Sequence, residues 1–433
     1  MAEDRPGHPP GFPVLPRTAW LRIDLEALVA NLVLIRAALP AGVRVEPVVK
    51  ADAYGHGAVP VAHALAAAGA DGFCVATFDE AVELRRSGLR LPLLVLYPAP
   101  PELAEAAARL DIALAAGDPR LLERTLAVIR AAHAGRGGPR RRLRFHLEVE
   151  TGLGRAGFHP ADVPAAAAAI ERTPGCRLAG LWSHLAAPDD KARASAQTER
   201  FGDAARLIDD SAVRLPARHL VASGALLAAS APAFESIRVG LALYGLVPDG
   251  QRIDDRRLPI ARGLRPVLSL HARAVRVADL PAGTGISYGP SFVTARPSRI
   301  ATLPLGYADG YARALSNRGS ALVRGWRVPV VGTVAMDAVM TDVTDVPGPP
   351  VDVDDEFTLI GAQGAERIEV ADLARERTTI SWEVVTAMSR RLPRVYHAAA
   401  GAVGIRTLTE ERGEWRVSSS GTGTSAISRS TRS

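Results

Sequence analysis

The chain has 433 residues, of which 23% are charged and 48% hydrophobic, and its formal net charge is +6. This length is too great for most single hydrophobic cores, so we expect two domains of ordinary globular composition. The charge is too mild to indicate a nucleic-acid partner, and the basic run at residues 139–144 contains no aromatic residue, so it predicts a solvated surface loop.

Neither a membrane nor an export route is predicted. No run of about 18 apolar residues is present, and the proline-rich start contains no apolar signal segment. The two cysteines, Cys74 and Cys176, cannot form a disulfide framework and fit a reduced compartment. We therefore expect a cytoplasmic protein.

The first part of the chain alternates apolar strands with alanine-rich helices. Asp24 is a candidate N-cap for a helix over residues 25–39, and Gly69 is a candidate stop signal. Strands are predicted at residues 20–24, 43–49, 73–76, 93–96, 112–114, 143–149, 178–182 and 237–244, and further helices at 58–68 and 78–87. This alternation predicts a parallel α/β fold, and the number of units fits a TIM-like (β/α)8 barrel over residues 17–259. No GxGxxG opens a helix after the first strand, which disfavours a dinucleotide fold.

The pattern changes near residue 260. Short strands are predicted at residues 268–275, 300–305, 321–331 and 356–360, with few helices between them. We therefore expect a second, mainly β domain over residues 260–412. The proline-rich residues 1–16 and the Ser/Thr/Gly-rich residues 413–433 are expected to be disordered.

Lysine occurs at only two positions, Lys50 and Lys191. Arginine keeps its proton near neutral pH, so it cannot replace a lysine that acts as a nucleophilic amine. Lys191 lies in a polar stretch and is expected at the surface. Lys50 directly follows an apolar strand, at the end where barrel enzymes place catalytic groups, and there it can form an imine with an aldehyde cofactor. A salt-bridging lysine at a strand end is the alternative.

Residues 49–57 read VKADAYGHG, which resembles the pyridoxal-phosphate attachment motif of alanine racemases. The resemblance extends over roughly residues 17 to 400 and includes several separate motifs in the same order. It implies a pyridoxal 5'-phosphate enzyme with the cofactor held as a Schiff base on Lys50. It also implies racemisation of alanine, supply of D-alanine for peptidoglycan, and a homodimer in which both chains build each site.

The same resemblance assigns the cofactor contacts. Arg155 ends the segment HLEVETGLGR and is implied to hold the substrate carboxylate and the cofactor's phenolic oxygen. Arg238 is implied to donate to the pyridine nitrogen, and His184 to lie near the pyridine ring. The remaining cofactor residues, most of them at the phosphate, are Tyr54, Ser223, Gly240, Leu241 and Tyr396.

The second domain is implied to supply the other acid–base group. Tyr288, in the segment GISYG, resembles the family tyrosine that faces the lysine from the partner subunit. Racemisation requires a proton removed from one face and delivered to the other, so Lys50 serves one antipode and Tyr288 the other. Tyr307 resembles a substrate-entry residue, and the backbone N–H of Met336 is implied to bind the substrate carboxylate. No metal ligands are predicted.

The chain departs from the family pattern at several positions. Glu148 stands where many members carry a lysine that becomes carbamylated. Because Glu148 already supplies a carboxylate, we expect it to pair with Arg155 without carbamylation. Other departures put the substrate preference and the rate in question; they are Ala222, Thr333, Ala335 and Ala338.

Three alternatives remain open from the sequence. The chain could racemise another small amino acid, such as serine. It could be a non-catalytic pyridoxal-phosphate-binding protein, although such single-barrel proteins lack the second domain and Tyr288. A related decarboxylase is disfavoured because the sequence contains neither the Gly-rich phosphate loop nor the reactive cysteine motif of those enzymes, and neither cysteine lies in the second domain.

Overall fold

The computed structural model describes residues 15–136, 141–211, 213–214, 216–399, 401–413 and 415. Nearly all of the expected disordered segments 1–16 and 413–433, and part of the basic run at 139–144, therefore lie outside the described residues. The chain divides into two compact units. The parallel-sheet unit comprises the described residues within Val29–Ala53 and Val61–Arg265, and the β-rich unit comprises those within Met1–Leu28, Tyr54–Pro60 and Pro266–Ser433.

The first nine strands are β1 (Ala19–Asp24), β2 (Arg44–Pro47), β3 (Phe73–Val75), β4 (Leu93–Val95), β5 (Ile112–Ala116), β6 (Leu143–Glu148), β7 (Cys176–Trp182), β8 (Ala217–His219) and β9 (Ser236–Val239). The helical segments up to residue 263 are α1 (Leu25–Ala37), α2 (Lys50–Tyr54), α3 (Ala58–Ala67), α4 (Phe78–Arg86), α5 (Ala104–Arg109), α6 (Pro119–Arg136), α7 (Val163–Arg172), α8 (Lys191–Asp209), α9 (Ser223–Ala228) and α10 (Leu258–Gly263). Their alternation confirms the predicted mixed α/β organisation.

Parallel pairing defines the parallel-sheet unit. Among the described residues, β3 to β8 form a six-stranded parallel sheet in sequence order, and β2 pairs in parallel with β9. Isolated parallel bridges join Val48 to Cys74 and Ala222 to Arg238, next to the two ends of this sheet. Strands β3, β4 and β5 are buried at every position, as expected for parallel strands that are covered on both faces.

The predicted strand over residues 237–244 is wrong in its second half. Strand β9 ends at Val239, and a 3-10 helix follows at Leu241–Tyr244. The whole run is apolar because it is buried, but Gly240 adopts φ −112° and ψ −92°, which ends the strand. Buried residues are apolar in a strand and in a turn alike, so the sequence of the buried 3-10 helix resembled that of a strand.

The second half of the chain is rich in β-structure, as predicted. Its strands are β10 (Leu268–Arg273), β11 (Arg276–Leu280), β12 (Gly285–Ile286), β13 (Phe292–Val293), β14 (Ser298–Leu303), β15 (Ser320–Val323), β16 (Trp326–Pro329), β17 (Val339–Asp342), β18 (Glu356–Gln363), β19 (Glu366–Ile368), β20 (Arg394–Ala398), β21 (Gly401–Arg406) and β22 (Glu411–Gly413). Its helices are α11 (Val370–Glu376) and α12 (Ser381–Thr386). The single strand predicted at 321–331 is a hairpin of β15 and β16, because Arg324 and Gly325 both have positive φ.

Strand β1 belongs to the β-rich unit. It pairs antiparallel with β10 and parallel with β20, in a sheet with the order β16-β15-β18-β10-β1-β20-β21-β22, where β19 pairs with β18. The observed division therefore departs from the continuous boundary expected between residues 259 and 260. Local periodicity identifies a strand but not its partner, which explains the difference.

The predicted cap of α1 is confirmed, because the backbone N–H of Ala27 donates to Asp24 Oδ1 at 2.8 Å. Within the residues that the structure describes, no helix is both long and apolar enough to cross a bilayer.

Candidate active site

Lys50 lies directly beyond the end of β2. The strand direction continues to Val49, whose N–H donates to Cys74 O at 2.9 Å. The chain then makes a left-handed turn, in which Ala51, Asp52 and Ala53 all have φ between 51° and 54°. Left-handed backbone is costly for residues with a Cβ, so surrounding contacts must hold it.

Two side chains fix this turn. Glu80 Oε1 accepts from the N–H of Ala51 at 2.6 Å, and Glu80 Oε2 accepts from two further N–H groups, at Ala76 and Thr77. The Tyr244 hydroxyl donates to Val48 O at 3.0 Å. The backbone on both sides of Lys50 is therefore anchored. Glu80 was given no function from the sequence alone.

The environment of Lys50 destabilises its protonated form. Burial lowers the pKa of Lys50, and the nearby Arg155 guanidinium lowers it further, while the Glu80 carboxylate opposes the shift. An unprotonated amine is the form that can act as a nucleophile or accept a proton. The structure thus gives one of the two lysines a chemically competent setting.

Ser223 and the turn after β9 lie together. The Ser223 side chain is 5% exposed, and its Oγ accepts from the N–H groups of Gly240 and Ala242, each at 3.2 Å. These are long hydrogen bonds, so an anion could take the two N–H groups over at little cost. Backbone N–H groups beside a hydroxyl suit a phosphate group.

Arg238 is 3% exposed and is held from three sides. Its NH1 donates to His219 Nδ1 and to His219 O, both at 2.6 Å, and its NH2 donates to Ser183 O at 2.7 Å. The guanidinium also lies 4.8 Å from the centre of the Trp182 ring. Its Nε–H donates to no other described residue, so this group is available to a ligand.

The tautomer of His219 follows from these contacts. Because a guanidinium can only donate, His219 Nδ1 must accept, and its Nε2–H then donates to His146 Nδ1 at 2.7 Å. Burial lowers the pKa of His146 to about 3 and that of His219 well below its usual value. Both imidazoles are therefore neutral and compatible with the cationic Arg238.

The expected pair of Glu148 and Arg155 is present. Arg155 NH2 lies 3.4 Å from Glu148 Oε1, and Glu148 is only 4% exposed. Burial raises the pKa of Glu148, and the Arg155 charge opposes that shift. The structure therefore confirms the predicted pairing.

His184 is neutral near physiological pH. Burial, and then the positive charge of Arg238, lower its pKa to about 3. Any effect of His184 on a neighbouring ligand therefore acts through hydrogen bonding or stacking and not through a charge.

The β-rich unit holds the other predicted residues in two settings. Tyr54 and Tyr396 are buried, and the Tyr396 hydroxyl donates to His56 O at 3.1 Å. Three others are large side chains with more than two fifths of their area exposed; they are Tyr288 (76%), Tyr307 (43%) and Met336 (52%).

Hydrogen bonds hold together the chain segments that contain Tyr288, Tyr307 and Met336. The Ser287 hydroxyl donates to Thr333 O at 2.6 Å, beside Tyr288. The N–H of Tyr307 donates to Ala335 O, and the N–H of Ala308 donates to Met336 O, both at 3.1 Å. These hydrogen bonds thus join the three segments. The N–H of Met336 itself has no acceptor among the described residues.

The comparisons with known proteins agree with this arrangement. Residues 23–248 match the family described as alanine racemase, N-terminal domain, and residues 267–396 match alanine racemase, C-terminal domain. The chain belongs to the alanine racemase family. It is thus a member of a family of pyridoxal-phosphate-dependent amino-acid racemases.

Characterised members of the family resemble nearly the whole chain. The alanine racemase of Halothermothrix orenii is 37% identical over 387 residues, which cover 89% of this chain and 98% of the relative. The alanine racemase of Symbiobacterium thermophilum is 40% identical over 384 residues, which cover 88% and 97%.

Solved structures of the family share the fold. The alanine racemase of Bacillus anthracis with bound L-Ala-P superposes with a TM-score of 0.83 at 31% identity, covering 92% of this chain and 99% of that one. The enzyme of Streptomyces coelicolor gives a TM-score of 0.77 at 34% identity, covering 88% and 98%.

Proposed function

We propose that this chain interconverts L-alanine and D-alanine, with Lys50 as one proton-carrying group and Tyr288 of the partner subunit as the other. The observation that carries the proposal is the position of Lys50 just beyond a buried parallel strand, in a turn that the Glu80 carboxylate holds through the N–H of Ala51, where burial and the Arg155 charge lower the pKa of the lysine.

We propose that β2 to β9 form a closed eight-stranded barrel with this lysine at its carboxyl end. The isolated parallel bridges from Val48 to Cys74 and from Ala222 to Arg238 support closure, because they connect the β2–β9 pair to both edges of the six-stranded sheet. The carboxyl ends of barrel strands carry the catalytic groups in enzymes of this architecture.

The residues around Lys50 fit pyridoxal phosphate. Ser223 and the N–H groups of Gly240 and Ala242, together with that of Leu241 as the resemblance implies, would hold the phosphate. The Nε–H of Arg238 would meet the ring nitrogen. When bound, the cofactor supplies an aldehyde that links to an amine and a ring that withdraws electrons. The other proposed cofactor residues are Tyr54, Arg155, His184 and Tyr396.

Arg238 sets the electronic character of the site. A guanidinium keeps its proton, and the buried hydrogen bonds to His219 and Ser183 fix its direction. It would therefore donate a hydrogen bond to the ring nitrogen of a bound cofactor without protonating it. Arg238 would thereby keep the ring a weaker electron acceptor, a setting that favours return of the proton over side reactions.

The two proton carriers need opposite faces of the substrate. Lys50 moves a proton at its Nζ on one face, and the Tyr288 hydroxyl moves one on the other. Because Tyr288 is 76% exposed, it is available to a second copy of the chain, which supports a homodimer with shared sites. Arg155 and the N–H of Met336 hold the substrate carboxylate, and Tyr307 lines its entry path.

The test combines spectroscopy with catalysis. Purified protein with pyridoxal phosphate should give the visible absorbance of an internal imine and should convert L-alanine to D-alanine. Lys50→Arg should abolish both, while Lys191→Arg, the matched surface control, should change neither. A band that persists in Lys50→Arg contradicts the assignment of Lys50.

A panel of amino acids, including L-serine, measures the substrate preference. Faster turnover of serine than of alanine would overturn the alanine assignment. Cytoplasmic location and supply of D-alanine for peptidoglycan complete the proposal, and growth of a knockout strain only with added D-alanine would support them.

A further inference from the structure

Tyr97 is a residue near the candidate site that sequence reasoning did not single out. It follows β4 by two residues, and its N–H donates to Ala76 O at 3.2 Å. Its side chain is 46% exposed, and its ring lies beneath the Arg155 guanidinium, with 5.6 Å between the guanidinium carbon and the ring centre. That distance is within the range of a cation–π contact.

We propose that Tyr97 is a positioning residue that fixes the plane of the Arg155 guanidinium for binding of the substrate carboxylate. This inference rests on the proposed function, in which Arg155 holds that carboxylate. Tyr97 itself does not touch the substrate carboxylate in this proposal and acts only through Arg155.

The contacts of Arg155 explain why a second support matters. Its one ion pair among the described residues is the 3.4 Å contact with Glu148, which is longer than an ideal charge-assisted hydrogen bond. The Arg155 side chain is also 39% exposed. One long contact at one edge leaves the guanidinium free to tilt about that edge.

An aromatic ring limits this tilt without using any donor. A guanidinium has five N–H groups in one plane, and a carboxylate partner occupies some of them. The Tyr97 ring instead lies opposite the guanidinium carbon, 5.6 Å from the ring centre, and needs none of these N–H groups. Glu148 therefore fixes one edge, Tyr97 fixes the tilt, and the opposite edge stays open for a bidentate contact with a carboxylate.

The backbone beneath Arg155 is already rigid. The Glu150 carboxylate accepts from three successive N–H groups, at Gly152, Leu153 and Gly154, over 2.5 to 2.9 Å. Because this loop is fixed, the freedom that remains in Arg155 is that of its side chain. In this proposal, Tyr97 restricts the remaining rotation of the Arg155 side chain.

The expected effect is specific to carboxylate binding. Loss of a cation–π contact at a partly exposed site changes an equilibrium constant by roughly two- to fivefold. Tyr97→Ala should therefore raise the KM for alanine and the Kd for propionate, a simple carboxylate probe, by that factor. Its kcat and imine absorbance should stay close to wild type. Tyr97→Phe keeps the ring and should rescue binding.

A double-mutant cycle separates this role from a general loss of structure. In an Arg155→Gln background, Tyr97→Ala should cause no further loss of propionate affinity, because the guanidinium is absent. Phe234→Ala is the matched control, since Phe234 lies 4.8 Å beneath Arg218 in a comparable contact. That control should leave the propionate Kd unchanged.

The outcomes are distinct. A wild-type enzyme that racemises alanine, combined with Tyr97→Ala that binds propionate as tightly as wild type, overturns this inference and leaves the proposed function standing. An equal loss of affinity with and without Arg155 also overturns it. Wild-type protein that racemises no amino acid overturns the proposed function, and this inference with it.

Discussion

Glu148→Gln removes the negative charge beside Arg155 and keeps nearly the same shape. A hydrogen bond to a charged group is typically worth about 1.5–3 kcal/mol. The observed contact is long, at 3.4 Å, and Arg155 is partly exposed, so we expect a loss of about 1 kcal/mol, or about fivefold in kcat/KM. The loss should appear mainly in KM, because Arg155 is proposed to bind the substrate carboxylate.

The pH dependence gives this prediction a second readout. Burial raises the pKa of Glu148, and the ionised form is the one that pairs with Arg155. As pH falls through that raised pKa, Glu148 becomes neutral and KM should rise. The rise in KM at low pH, the acid limb of the profile, should therefore begin at a higher pH than an ordinary glutamate would give. It should weaken or disappear in Glu148→Gln.

Glu148→Gln should weaken substrate binding but should not destabilise the folded protein. A carboxyl group whose pKa is raised by folding destabilises the folded state at pH values above its unfolded pKa. Replacing Glu148 with a neutral amide should therefore leave the free energy of unfolding unchanged or slightly higher. Glu123→Gln, at an exposed carboxylate on α6, is the control. A Glu148→Gln enzyme with wild-type KM and an unchanged acid limb refutes the reasoning.

Two further predictions concern stability. Gly57 has φ +98° and packs directly against the Tyr396 hydroxyl, so Gly57→Ala should lower the free energy of unfolding in urea by about 2–4 kcal/mol. Gly42→Ala, at φ +84° with open space around it, should cost clearly less, and equal losses would contradict the steric argument. Arg394 is 1% exposed and donates to four backbone carbonyls, including Gly55 O at 2.9 Å. Arg394→Met should therefore cost about 3 kcal/mol, and a loss below about 1 kcal/mol would mean that water replaces the guanidinium.

Much of the fold could be predicted from local pattern. Parallel strands that are covered on both faces have short apolar sequences, and this identified β3, β4 and β5 within a few residues. Strands β6 and β7 were also predicted within a few residues, although polar residues interrupt both. Strand β8 was missed as a periodic run because Ala217–His219 is short and only half-buried at two of its three positions. The 3-10 helix after Gly240 was missed because burial, and not backbone geometry, sets the apolar pattern.

Some residues of the candidate site could likewise be identified from the sequence, and others could not. Lys50 could be identified because lysine is scarce and because this one follows an apolar strand. The Glu148–Arg155 pair was predicted from the family resemblance, because Glu148 supplies a carboxylate where many members carry a carbamylated lysine. Glu80 and Tyr97 act through space on residues 29 and 58 positions away, and one exposed tyrosine or one helical glutamate has no distinctive local pattern. Their roles therefore required the three-dimensional structure.

The pairing of β1 has a consequence for how the chain is made. Its hydrogen-bonding neighbours, β10 and β20, are synthesised only after the whole parallel-sheet unit. Strand β1 therefore waits without these partners while the parallel-sheet unit can fold. Closing a loop of that length carries an entropic cost that slows formation of the β-rich sheet. A chain truncated near residue 260 would carry β1 as an unpaired edge prone to aggregation, because segments from both sides of the parallel-sheet unit are needed to complete one sheet.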